Sequence, residues 1–231
     1  MANLNIYYQN ARGLRTKTHI FKRNLYMHQY DVISITESWL IEGISNSELF
    51  DDRYLIWRRD RDYVRTGEMY GGGVLLAVRR DLIAMERPEW SSSAEDIWIT
   101  VTYRHNNKTP TKVHFCTLYL CDEKNGPSFN TQLHIFAEGL SSIVNSCPND
   151  KFPHGIAGET QINSFNVLTE CNLNQFNLCR NINDRLLDLV LSNSSISVKA
   201  CDDPLVPEDV NHKALSVYLD FCISLSVRRL R

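Results

Sequence analysis

Four short runs restrict the fold of this chain more than any other feature: DVISIT (Asp31 to Thr36), VLLAV (Val74 to Val78), IWITVTY (Ile97 to Tyr103) and VHFCTLYL (Val113 to Leu120). Each is shorter than a typical buried helix and rich in β-branched or aromatic residues, which predicts a strand. DVISIT is apolar at nearly every position, the pattern of a strand covered on both faces. The polar turn RHNNKTPT joins the last two runs into an expected pair. Further strands are expected at Leu4 to Gln9, Leu55 to Arg58, the GIAG stretch ending at Gly158, LLDLVLS ending at Ser192, and Ala214 to Leu225. Helical spacing is confined to Thr18 to Gln29 and to Ser128 to Asn145, where Leu133, Phe136, Leu140 and Ile143 share one face. Many strands with few helices predict an α/β (α+β) fold in which two mixed β-sheets pack together, flanked by helices, rather than a doubly wound parallel sheet.

No Pro/Gly/Ser linker or internal repeat divides the 231 residues, so one domain over 1–231 is expected. The net charge of −2 excludes a global basic field, leaving nucleic-acid binding to local patches. The candidates are Arg58, Arg59, Arg61 and Arg65, the pair Arg79 and Arg80, and the tail Arg228, Arg229 and Arg231; solvated faces would give the same pattern. Seven cysteines lack any CxxC and any Cys/His spacing typical of zinc, which fits free thiols in a reducing compartment. MANLNIYYQN has no signal-peptide character, and no apolar run reaches the roughly 18 residues of a membrane span. The expectation is a soluble intracellular protein with no membrane partner.

Polar residues fall repeatedly at strand ends. Asn10 closes the first strand, Glu37 follows DVISIT, Tyr119 sits in TLYL, and Glu159 and Gln161 follow GIAG. Asp188 lies inside LLDLVL, and Asn211-His212 precedes ALSVYL. Each has an ordinary alternative: Asn10 could start a turn, Glu37 cap one, Asp188 be satisfied by backbone amides, and His212 be a satisfied core histidine. A charge inside or after a buried strand is costly unless paired or metal-bound. If these ends converge on one rim, they build a hydrolytic site. Carboxylates would serve a hard divalent ion, amides and a tyrosine would hold phosphate oxygens, and a histidine would stabilise charge or move a proton.

The order Asn, Glu, Tyr, acid-x-amide, LDL, His resembles the endonuclease/exonuclease/phosphatase superfamily, which includes the apurinic-site endonucleases and the deoxyribonuclease I group. Within it the closer resemblance is to the endonuclease domain of insect non-LTR retrotransposons of the jockey type. The phrases that carry the resemblance are YYQNARGLRTK (7–17), ITESWL (35–40), RRDRD with GGGVLLAV (58–78), LYL (118–120), RLLDLVLSN (185–193) and PLVPEDVNHKALSV (204–217). They span nearly the whole chain.

That resemblance implies a DNase I-like four-layer sandwich and a DNA endonuclease that uses Mg²⁺ or Mn²⁺. Glu37 would ligate the metal, with Asn10 helping to hold metal or phosphate, and Tyr119 would contact the scissile phosphate. Glu159 stands where the family has the Asp that orients or deprotonates the attacking water, and Gln161 where it has a phosphate-contacting Asn. Asp188 would orient the catalytic histidine or belong to the acidic shell, and His212 would stabilise the phosphorane-like charge. The implied reaction nicks one strand of double-stranded DNA to leave a 3′-hydroxyl, which in a retroelement primes reverse transcription. A reverse transcriptase domain is implied for the parent element but absent here, and a monomer acting on chromosomal DNA in the nucleus is expected.

The sequence departs from the family at AGETQ, where the pattern is AGDFN. Glu159 and Gln161 each carry one methylene more than the family residue, and misplacement on the order of 1 Å in a catalytic constellation can cost about 10²-fold. Asn211 replaces an Asp that many superfamily members have before the histidine, although Asp209 lies close by in the same motif. An alternative to an active endonuclease is therefore a degenerate or co-opted scaffold with little catalysis. A phosphatase of the same superfamily acting on a small molecule or lipid is a third.

Overall fold

The structure, a computed structural model, describes residues 3–68, 70–104, 110–121, 127–158 and 173–220. The chain begins with β1 (Asn3–Asn10), α1 (Thr18–Met27), β2 (Val32–Thr36), β3 (Tyr54–Arg59), the single turn α2 (Tyr63–Thr66) and β4 (Val74–Arg79). It continues through β5 (Ile83–Glu86), β6 (Glu95–Tyr103), β7 (Thr111–Leu120), α3 (Phe129–Ser146) and β8 (Pro153–Gly158). The last described elements are β9 (Asn174–Gln175), β10 (Asp188–Ser192), β11 (Ile196–Ala200) and β12 (Leu215–Asp220). They form two six-stranded sheets, in the orders β11-β12-β1-β2-β4-β3 and β5-β6-β7-β8-β10-β9.

Three apolar clusters explain the layering. Leu4, Ile6, Tyr8, Val32, Leu76, Ile99, Val101 and Phe115 fill the space between the sheets. Residues one position along the same strands, such as Tyr7, Ile33, Ile35, Leu75 and Ala77, face outward and pack with Phe21 and Leu25 of α1. On the other sheet, Trp98, Cys116, Leu118 and Leu120 point the opposite way, against Leu133, Phe136, Leu140 and Ile143 of α3. Side chains alternate across a strand, so a central strand covered by a second sheet on one face and a helix on the other is apolar throughout. The unbroken runs of the sequence have this cause, and the result is a four-layer mixed α/β sandwich. Each such side chain, fully buried, stabilises the fold by about 1.5–3 kcal/mol relative to exposure.

Every expected strand with described residues is present, and both helices fall where their spacing placed them. Ser128 caps α3, its hydroxyl accepting the amide hydrogen of Thr131. The strands that sequence patterning did not reveal, β5, β9 and β11, all sit at sheet edges, where one side is solvated and the apolar run breaks up. Most of the RHNNKTPT turn, residues 221–225 of the last expected strand and the arginine tail lie outside the described residues. Four of the other arginine candidates are tied down rather than free, and the Arg65 side chain lies outside those described. Arg58 donates to the carbonyls of Ile41 and Ile44 and pairs with Asp60, Arg59 pairs with Asp96, and Arg79 pairs with Asp31 and Asp81. Arg80 donates to the carbonyls of Asp52 and Tyr54.

Candidate active site

Each sheet contains one parallel pair, β1 with β2 and β7 with β8, while the other pairings are antiparallel. Asn10 and Glu37 close the first pair. In the second, Tyr119 lies one residue from the end of β7, opposite Ala157 of β8. Asp188 opens β10 opposite the same Ala157, and His212 lies just before β12, which pairs with β1. Side-chain bonds across the sandwich bring these ends together on one rim.

The YYQN stretch organises that rim by the alternation of a strand. Tyr7 and Gln9 are fully buried and hold the loop that leads to His212. The Tyr7 hydroxyl accepts the Leu205 amide hydrogen and donates to Gln9, whose side-chain nitrogen donates to the Val206 carbonyl. Tyr8 and Asn10 point the other way. The Tyr8 hydroxyl donates to Asp188 Oδ1 at 2.8 Å and lies 3.1 Å from Thr36 Oγ1. Asn10 Nδ2 donates to Glu37 Oε1 at 2.9 Å, and Asn10 Oδ1 accepts the Arg12 amide hydrogen.

Asp188 is 4% exposed and its second oxygen lies 2.9 Å from Nδ1 of His212. An ionised carboxylate only accepts, so Nδ1 carries the proton and donates. Asn177 donates to the Asp188 carbonyl at 2.7 Å, fixing the backbone at the same point. Burial alone would lower the His212 pKa, but the bond to Asp188 and the charges of Asp188, Glu37 and Asp209 together raise it above the ordinary 6.5. Asp209 does not touch the ring. It accepts the Asn211 amide hydrogen, pairs with Arg12 at 3.1 Å, and its carbonyl accepts the His212 amide hydrogen, shaping the turn that presents the histidine.

Glu37 adopts a left-handed backbone (φ 49°), as does Trp39 (φ 53°). Such conformations cost a non-glycine residue of order 1–3 kcal/mol and persist where the surroundings enforce them. Here the Glu37 carbonyl accepts the Gly13 amide hydrogen at 2.8 Å, and the Ser38 and Trp39 amides donate to Gly73 and Gly72. A Cβ on Gly13 would come within 2.6 Å of the Trp39 ring, so ARG and ESW interlock. The half-buried Glu37 carboxylate accepts from Asn10 on one oxygen and from Trp39 Nε1 on the other, at 3.3 Å.

That carboxylate fits a hard divalent ion. It is held in place by two donors, yet a carboxylate has about four acceptor positions, which leaves capacity for a cation. Mg²⁺ and Mn²⁺ suit a site of one or two carboxylates completed by water and phosphate oxygens. Asp188, 4% exposed, is enclosed behind Tyr8 and His212 whereas Glu37 is half-buried, and Asn10 has its oxygen engaged by Arg12. Among the described rim residues, Glu37 could therefore hold such an ion, with Asn10 steadying its carboxylate.

Tyr119 is half-buried, and burial together with the nearby charge of Glu37 raises its pKa well above 10, so its hydroxyl is a donor at neutral pH. Behind it lies Arg61, 8% exposed, its guanidinium 5.6 Å from the Tyr119 ring centroid. Arg61 donates to Glu95 at 2.7 Å and Glu68 at 3.0 Å, and Glu95 accepts the Gly73 amide hydrogen. The GGG run wraps this guanidinium; a Cβ on Gly72 would sit 2.2 Å from Arg61 Nε. Glu159 and Gln161 lie outside the described residues; β8, which leads to them, ends at Gly158 between Leu120 and β10.

The sequence identified Asn10, Glu37, Tyr119, Asp188 and His212, and all five lie on this rim. It missed Tyr7, Tyr8, Gln9 and Arg61. The available signal was a hydroxyl or amide at each buried position of YYQN, and an arginine preceding a glycine run able to enclose it.

No protein-family model matches the chain, and no curated protein matches it. Solved structures do. The AP endonuclease LMAP from Leishmania major superposes with a TM-score of 0.65 at 12% identity, over 94% of this chain and 87% of that one. The endonuclease domain of TRAS1, a telomere-specific non-LTR retrotransposon, gives 0.62 at 13% identity, over 94% and 98%. The 3′ phosphatase NExo from Neisseria, bound to a product DNA hairpin, gives 0.59 at 12% identity, over 94% and 100%. With a rim of strand ends carrying Glu37, Asp188 and His212 on two packed sheets, the chain has the fold of the endonuclease/exonuclease/phosphatase proteins and resembles the retrotransposon endonucleases among them.

Proposed function

We propose that the chain is a divalent-metal-dependent endonuclease that nicks one strand of double-stranded DNA and leaves a 3′-hydroxyl. The observation that carries this reading is the relay Tyr8–Asp188–His212 beside Glu37, with 2.8 Å and 2.9 Å hydrogen bonds joining the two sheets at the rim. The fold-mates named above include an AP endonuclease and a retrotransposon endonuclease, which supports DNA as the substrate class.

Water attacks phosphorus in line with the bond to the 3′ oxygen; that bond breaks, and the products are a 5′-phosphate and a 3′-hydroxyl. Bound Mg²⁺ or Mn²⁺ supplies charge that neutralises and polarises the phosphate. Glu37 would hold that ion, and Asn10 would steady the Glu37 carboxylate. Tyr119 donates to a non-bridging oxygen. Charged His212, fixed by Asp188, donates from Nε2 to oxygen charge that grows in the transition state, a contribution worth about 10²–10³-fold per donor in comparable sites. Tyr8 keeps Asp188 from rotating. Glu159 orients the attacking water and Gln161 contacts the phosphate, assignments that rest on their place in the AGETQ motif. In an intact retroelement the 3′ end would prime reverse transcription by a partner reverse transcriptase domain in the nucleus; the endonuclease itself acts as a monomer.

Nicking of supercoiled plasmid with Mg²⁺ or Mn²⁺, alongside Glu37→Ala and His212→Ala, tests this reading. Metal-dependent nicking lost in both variants supports it. A folded wild-type protein that nicks no faster than they do makes the chain a retained scaffold instead. In that case Glu159→Asp with Gln161→Asn, which restores the shorter side chains, is expected to bring nicking back.

A further inference from the structure

At the opposite end of β7 from Tyr119, about 17 Å along the strand at ~3.3 Å per residue, three donor atoms of different chemistry meet. His114, Cys147 and Asp150 each offer one, and all lie within 4.8 Å of one another. They come from three places: β7, the residue that ends α3, and the loop before β8. We infer that these three residues form a second cation site, distinct from the nuclease rim, for a borderline-soft divalent ion such as Zn²⁺.

The ring of His114 is 1% exposed and fixed at both nitrogens, with Nδ1 2.8 Å from Thr100 Oγ1 and Nε2 2.9 Å from Asp150 Oδ2. In the metal-bound form Nδ1–H donates to Thr100 and Nε2 gives its lone pair to the ion, the arrangement that orients most histidine ligands. Burial lowers the pKa of this ring despite the neighbouring Asp150, so it is neutral and able to ligate at pH 7.

The backbone holds the trio together without a metal. The His114 amide donates to the Lys151 carbonyl at 2.8 Å, and the Asp150 amide donates to the Cys147 carbonyl at 3.1 Å. Asn193 donates to the Asp150 carbonyl at 3.0 Å and accepts the Phe152 amide hydrogen at 2.9 Å. Cys147 sits at the carboxyl end of the 18-residue α3, where the helix dipole favours a positive charge. Cys147 and Asp150 are both partly exposed, which gives an ion a way in.

The donor set decides the ion. Sulfur with imidazole favours Zn²⁺ over Mg²⁺, whereas Glu37 at the rim offers carboxylate oxygen. Three protein donors leave a fourth tetrahedral position for water. Sequence spacing gave no hint, because the histidine and the cysteine are far apart in the chain and meet only through the packing of α3 on its sheet.

Titration with Co²⁺ in the presence of excess Mg²⁺ tests the site, since a thiolate ligand adds a charge-transfer band that oxygen ligands do not. One equivalent is expected to produce the band, Zn²⁺ to displace it, and Glu37→Ala to retain it. Cys147→Ser is expected to abolish it, and Thr100→Val to weaken Co²⁺ binding by about 10–100-fold. A wild-type protein without the band, or a band that survives Cys147→Ser or disappears in Cys121→Ser, overturns the proposal. If Cys147→Ser fails to fold, Asp150→Asn and Thr100→Val decide the matter, and unchanged Co²⁺ affinity in both overturns it.

Discussion

Among the described residues two histidines are buried, one at each end of the sandwich, each 2.9 Å from an aspartate oxygen. Their surroundings shift the two pKa values in opposite directions. At His114 burial wins: Asp150 opposes it, but Arg87 and Lys112 add positive charge and the ring's pKa falls. At His212 burial acts with the same sign and loses, because Glu37 and Asp209 add to Asp188. A hydrogen-bonded His–Asp pair is therefore not in itself a proton-handling device. The charges beyond the pair decide whether the ring keeps its proton as a cation or stays neutral as a lone-pair donor.

The largest break in this comparison is Asp188→Asn. An amide in place of the carboxylate removes the charge that keeps the His212 ring protonated and oriented; the corresponding change costs about 10⁴-fold in the serine-protease triad, and a loss of that order in nicking rate is expected here with the fold retained. A wild-type rate in this variant would remove Asp188 from the mechanism.

The pH dependence sharpens the same point. A folded-state pKa raised above 6.5 means that the stability contributed by charged His212 is complete below the unfolded value and is lost as pH rises through the folded one. Nicking that needs the charged ring falls over the same range. In Asp188→Asn burial is opposed by less negative charge, so the alkaline limb of the pH–rate profile moves to lower pH. A limb that stays in place would mean that another group sets it.

The layers of the sandwich were legible because central strands here are apolar on both faces, a pattern that survives without any knowledge of pairing. Edge strands β5, β9 and β11 were not, since one-sided cover leaves no continuous run. For the site, residues at strand ends stood out because an acid or amide there interrupts an apolar sequence. Tyr7, Tyr8 and Gln9 did not stand out, because tyrosine suits a strand interior and their partners lie far along the chain, in the loop at Leu205 and Val206 and at Asp188 of the other sheet. Tyr8 reaches Asp188 across 180 positions of sequence, and no local pattern encodes that bond.

Tyr8→Phe tests that bond at the rim. Tyr8 is 1% exposed and donates to a carboxylate, so removing its hydroxyl is expected to destabilise the fold by about 1.5–3 kcal/mol. It should also slow nicking, because Asp188 loses one of its two side-chain restraints. Denaturant unfolding beside plasmid nicking separates the effects, and an unchanged midpoint would show that water replaces the hydroxyl.

The two glycines that differ most in surroundings give the smaller effects, and they again divide the molecule by end. Gly72, beside the rim, has φ +64° and no room for a methyl group against Arg61. Gly72→Ala is expected to cost about 1–3 kcal/mol and to disturb the guanidinium behind Tyr119. Gly139 lies on the exposed face of α3, and a Cβ there meets nothing within 4 Å. Alanine removes backbone freedom from the unfolded chain and suits a helix interior, so Gly139→Ala should stabilise the protein by roughly 0.5–1 kcal/mol. In a domain of this size that raises Tm by about 2–4 °C per kcal/mol, with nicking unchanged. A lower Tm would mean that the open groove beside Trp90, Ser142 and Ser146 closes on Gly139 in solution. The far face of α3 would then be as tightly fitted as the rim.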